Sequence, residues 1–211
     1  VAEYERGTKA DLANGKRIEA EGNLTNGVLI ARKIEFKSSG DGSGGGGGGF
    51  SAFVRVNAAI QTLDATNRAI TVLNKTFKVS ASTQFEDKVS DTRPFNVDNF
   101  VAVLKVGDIV EIRGFEDKDG LNATLVERND DNEVIIQGKL EQNIAAQLTI
   151  QGVVVRVGIN TQFKDANDNP ITRAQFDTAA AIGAKVKAKG TNAGTSDNTV
   201  DATSGEVEIE T

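Results

Sequence analysis

Gly107-Asp108-Ile109-Val110-Glu111-Ile112-Arg113-Gly114 has two counterparts in the same chain, Gly183-Ala184-Lys185-Val186-Lys187-Ala188-Lys189-Gly190 and Gly15-Lys16-Arg17-Ile18-Glu19-Ala20-Glu21-Gly22. Apolar residues alternate with charged ones between the two glycines, the period-two pattern of a half-buried strand. Each copy runs through a polar loop into a second strand: 28–35, then 122–127, then 200–202 leading to 207–210. The loops after the first two carry Asn26-Gly27 and Asp119-Gly120, residues that tolerate the positive φ of tight hairpins.

Working outward, Thr83-Gln84-Phe85-Glu86-Asp87 returns as Thr161-Gln162-Phe163-Lys164-Asp165, and Phe100 before Gly107 returns as Phe176 before Gly183. A repeat of this length fixes the architecture before any local reading. Residues 53–128 predict strands at 53–62, 69–73 and 76–81, a short connector helix near 97–105, and strands at 108–113 and 121–127. The order βββαββ is that of the five-stranded Greek-key OB barrel, with its helix between the third and fourth strands. The last copy repeats it with a helix over 172–181, for which Thr172 is the N-cap. The expectation is all-β, with one short helix per repeat, in tandem OB-like barrels at 51–129 and 130–211. Residues 38–50 read as a Gly/Ser-rich linker averaging about 20 Å end to end.

Residues 1–37 hold only the closing hairpin of a barrel, with Tyr4 at the place of Phe85 and Phe163. A two-stranded hairpin is marginal in water, so the apolar side chains Ile18, Leu29, Ile30 and Ile34 are expected to find a cover in a neighbouring repeat or another subunit. They are the candidate assembly contacts.

These motifs resemble a family of exported bacterial proteins built from tandem small OB-like β-barrel repeats and classed as a domain of unknown function. The resemblance rests on the Thr-Gln-Phe pieces at 83 and 161 and the Gly-bounded strands at 15, 107 and 183. It implies a secreted or envelope-associated, non-enzymatic barrel array, and it supplies no catalytic residues.

Composition narrows the chemistry further. The chain of 211 residues contains no Cys, His, Met or Trp. That excludes Ser-His-Asp and Cys-His centres, redox thiols, His-, Cys- or Met-ligated haem and ordinary structural zinc. A net charge of −6 argues against nucleic acid and anionic membranes. No apolar run approaches the roughly 18 residues of a membrane span. Position 1 is Val, which reads as a processed or truncated product, and the lack of Cys suits an exported protein: extracellular, cell-surface or periplasmic.

The remaining motifs have ordinary readings. Formal G-x-G-x-x-G matches in the glycine run are followed by a strand at 50–56 instead of the helix N-terminus that a phosphate cradle needs, and no Gly-Lys-Ser/Thr is present. Asp165, Asn167 and Asn169 set oxygens at positions one, three and five of a calcium loop, but Pro170 replaces its glycine and Phe176 its bidentate glutamate. Asp117 and Asp119 read as a hairpin turn. No cofactor is expected, and calcium is the one ion these acidic turns would suit. The Phe residues read first as repeated core positions; Phe53 and Phe115, which lack repeat partners, are the ones left for exposed rings that stack on sugars, in a runner-up reading as an oligosaccharide- or calcium-binding module. Self-association, or binding to another envelope protein, is the expected partnership.

Overall fold

A computed structural model describes residues 2–5, 8–12, 18–25, 28–36, 52–192 and 198–210. The expected linker at 38–50, the Asn26-Gly27 turn and Gly15 lie outside them. The described chain is predominantly β. The first region gives β1 (Glu3–Glu5), a 3-10 turn at Lys9–Asp11, β2 (Ile18–Thr25) and β3 (Val28–Phe36). The second gives β4 (Ala52–Asp64), β5 (Ala69–Val72), β6 (Lys75–Lys78), β7 (Gln84–Asp87), α1 (Phe100–Val103), β8 (Ile109–Asp117) and β9 (Gly120–Asn129). The third gives β10 (Val134–Ile144), β11 (Gln147–Ile150), β12 (Val153–Arg156), β13 (Gln162–Lys164), β14 (Pro170–Ile171), α2 (Arg173–Ala179), β15 (Lys185–Thr191) and β16 (Thr199–Ile209).

Pairing in the second region runs β4-β5-β6-β9-β8 and back to β4. The seam between β6 and β9 is parallel and short, with Phe77 opposite Leu121 and Lys78 opposite Asn122, so the barrel is only partly closed. The third region repeats the circuit as β10-β11-β12-β16-β15, again with a parallel seam. This is the cyclic strand order expected of an OB-like barrel.

Two differences from the sequence expectation have physical causes. The third strand ends at Lys78 rather than near 81, because the chain turns at Ser80: the Ser80 N–H donates to Thr83 Oγ1 at 2.9 Å, and that hydroxyl donates to the Ala123 carbonyl at 2.8 Å. Thr161 does the same with the Gly158 N–H and the Ala202 carbonyl. The Thr-Gln-Phe motif therefore starts a separate strand that runs parallel to the last one, with Phe85 opposite Val126 and Phe163 opposite Val207. The first helix is also a single turn, whereas α2 is capped by Thr172 through a capping box with Gln175.

The glycine that closes each copy sits at a β-bulge, where the last strand comes so close that a Cβ would collide with backbone: Ala31 Cα at 2.7 Å for Gly22, the Asn122 carbonyl carbon at 3.0 Å for Gly114, and the Asp201 carbonyl carbon at 2.6 Å for Gly190. The opening glycines serve differently, Gly107 and Gly183 adopting φ of +94° and +96°.

The first strands of the two barrels also pair antiparallel, Arg55 to Asn57 against Gln137 to Ile135, with Val56 opposite Ile136 at the centre. Buried Asn57 locks the junction. Its amide donates to the Glu133 carbonyl at 2.6 Å and the Asp131 carbonyl at 3.2 Å, and its oxygen accepts from Asn129 Nδ2 at 2.9 Å. The acidic stretch 129–133 is thus a pinned crossover. One apolar core runs through both barrels.

Candidate assembly face

The first region forms its own sheet in the order β1-β3-β2. Its pairings copy those of the complete barrels. Tyr4 lies opposite Ile34 on a parallel strand, as Phe85 lies opposite Val126, and the β2-β3 hairpin carries the same bulge at Gly22 that β8-β9 carries at Gly114. Register then assigns each side chain a counterpart. Ile18 pairs across to Phe36 as Val110 does to Arg128; Ala20, Ala31 and Ile34 stand where Ile112, Ala123 and Val126 stand; Leu29 stands where Leu121 does.

In the complete barrels those positions are core. Val110, Ile112 and Val126 are 0% exposed and Leu121 is 9% exposed, because β4 to β6 cross the hairpin and cover it. In the first region Ile18 is 41% exposed and Leu29 45%, while Ile34 is buried at 9%. The same alternation that buries a side chain in a closed ring leaves it wet here, since no described strand lies along the outer edge of β2.

Register also separates the four expected contacts. Ile18, Leu29 and Ile34 share the barrel-facing side, with Ala20 and Ala31 between them, whereas Ile30, opposite Asn23, points to the other side and is 57% exposed. The face is thus built from three of the four.

The rest of this region leans on the second barrel through polar contacts. Arg113 pairs with Glu3, and Gln84 Nε2 donates to the Ala2 carbonyl. Arg113 Nε also donates to Glu111 Oε1 at 2.6 Å, and Arg55 Nη2 to Glu111 Oε2 at 2.6 Å, so buried Glu111 is held between two guanidinium groups. Glu127 lies directly opposite Glu111; burial first, and then the Glu111 charge, push its carboxyl above the usual range. The sequence reading missed Glu3, Gln84, Arg113 and Asn57. Only the odd Glu111/Glu127 facing pair, legible once the strands are aligned, hinted that a cation must come from a third strand.

The other sequence candidates resolve as local structure. The Asp165 carboxylate accepts the Asn167 and Asn169 N–H groups at 2.9 and 3.0 Å, which holds its pKa below the ordinary value. Asp117 Oδ1 accepts the Asp119 N–H at 2.8 Å, and Lys118 neutralises the Asp119 carboxylate. Among the described residues no group of three or more potential ligands is placed to hold a metal ion. Phe115 is buried, in keeping with the core reading of the Phe residues, and Phe53, opposite it, is half-buried with Lys185 Nζ 5.2 Å from its ring centroid, so neither is the freely exposed ring of the sugar-stacking reading. The cause is that β4 and β8 run on until they meet the next barrel. Phe163 and Phe176 pack at 5.0 Å in the core, beneath the Arg173 guanidinium.

Fold and site together define a protein of tandem OB-like β-barrel repeats. More particularly, the chain belongs to the family described as Domain of unknown function (DUF5666), whose sequence model matches residues 2–35, 58–127 and 137–204, one stretch on each repeat. No curated protein and no solved structure matched the chain. No helix among the described residues is long and apolar enough to cross a membrane.

Proposed function

We propose that the protein is a non-enzymatic structural module of the cell surface or periplasm, which joins to further copies or to another envelope component by having its first hairpin completed from outside the repeat. The carrying observation is the exposure of Ile18 and Leu29 at positions that are closed core in both complete barrels. A chain without Cys, His or Met, whose acidic turns are satisfied by their own backbone, offers surfaces and edges rather than reactive groups. Main-chain pairing at an open strand edge supplies affinity with little demand on side chains.

Light scattering on the full chain over a rising concentration series tests the self-association arm. Growth beyond the monomer that Ile18→Arg abolishes and Ile30→Arg leaves intact supports it. A strict monomer at every concentration discards polymerisation.

A further inference from the structure

We infer that the occupant of the open face is a three-stranded antiparallel meander of this chain's own repeat type, whose first strand pairs antiparallel with the outer edge of β2 in the register that β4 uses on β8. The inference rests on the proposed reading that the hairpin is completed from outside, and it names what completes it.

The molecule shows twice what covers such a hairpin. In the second region the first strand of the meander pairs with β8, placing Ala58 opposite Val110, Val56 opposite Ile112 and Val54 opposite Gly114. In the third, β10 lies on β15 in the same sense, with Gly138 opposite Val186 and Ile136 opposite Ala188. Carried onto β2, the incoming strand sets a small residue opposite Ile18, a β-branched one opposite Ala20 and another opposite Gly22. The bulge glycine makes the hairpin bend as its two counterparts do, so the receiving curvature is already built. The second and third strands of the meander then cross over Ile34, Ala31 and Leu29.

A fluorescein-labelled synthetic peptide of residues 52–78, titrated into the full chain and followed by anisotropy, tests this. Saturable binding is expected. It should weaken at least tenfold with Ile18→Arg in the chain, and stay unchanged with Ile30→Arg. Because the chain has no cysteine, Ala20→Cys paired with a Val56→Cys peptide gives a register readout, since air oxidation should trap that pair and leave Asn57→Cys peptides uncoupled. No saturable binding, or binding indifferent to Ile18→Arg because the peptide has displaced β4 to β6 in the second barrel, overturns the inference. If the peptide fails while the chain still assembles through Ile18, only the identity of the occupant is wrong; if the chain is also strictly monomeric, self-association falls with it.

Discussion

Replacing Gly114 by Ala probes the feature that all three copies share. Its φ lies outside the left-handed region, so backbone strain is not the issue; space is. The new Cβ would stand 3.0 Å from the Asn122 carbonyl carbon and 3.3 Å from Ala123 Cα, with the Asn122 oxygen nearer still. Ordinary carbon contacts sit at about 3.5–4.0 Å, so β9 must retreat from β8 by something near 1 Å. Overpacking of that kind costs about 1–3 kcal/mol, and weakening the flanking ladder bonds, including the Thr124 Oγ1 to Arg113 carbonyl bond at 3.1 Å, adds about 1 kcal/mol. A total near 3 kcal/mol, with a urea m value of about 2 kcal/mol/M, moves the unfolding midpoint down by about 1.5 M. Gly107→Ala is the control: its Cβ meets nothing within 4 Å, and only the φ of +94° opposes it, at about 1 kcal/mol. Urea melts followed by far-UV circular dichroism give both numbers. A Gly114→Ala midpoint within 0.3 M of the parent, or a larger loss for Gly107→Ala, would refute the close approach as the reason for the glycine.

Asn57→Ala should cost about 2–3 kcal/mol, because it strips buried partners from the Glu133 and Asp131 carbonyls, and it should split one calorimetric transition into two as the barrels uncouple. Thr161→Val removes the hydroxyl that ties the turn at Gly158 to the Ala202 carbonyl; a loss of about 1–2 kcal/mol in urea melts is expected. Glu127 has its folded pKa raised, so its charge opposes folding at neutral pH, and this penalty fades as pH falls through that pKa. Glu127→Gln should therefore stabilise at pH 7, with a gain that shrinks toward pH 4 in parallel melts. Asp87 has the opposite sign. Burial alone would raise its pKa, but hydrogen bonds from the Thr92 side chain and the Ser90, Val89 and Thr92 N–H groups outweigh it, so the stability it confers is lost on acidification, and Asp87→Asn should flatten the acid limb of the stability curve.

Much of the barrel was legible because its signals are local. Alternation in 107–114 marks a strand, and recurrence of Phe100 and Thr83 at Phe176 and Thr161 marks equivalent core and turn positions. The sequence pattern also located the hairpin with an apolar side to hide. It did not show that Ile30 belongs to the opposite side, because the Gly22 bulge shifts the register by one residue and alternation counted straight through it misplaces everything beyond. Nor did it reveal the β4-β10 pairing or Asn57. A strand that serves a ring and a neighbouring barrel reads like any other, and a single buried amide has no period.

The most direct test of the open face is hydrogen exchange by mass spectrometry on the full chain alone, comparing amides of 18–36 with those of 109–129 and 185–209. A hairpin lacking its cover should exchange at least a hundredfold faster than the two enclosed ones. Equal protection in all three would mean that this chain already hides Ile18 and Leu29 by itself, and completion from outside would have no face left to act on.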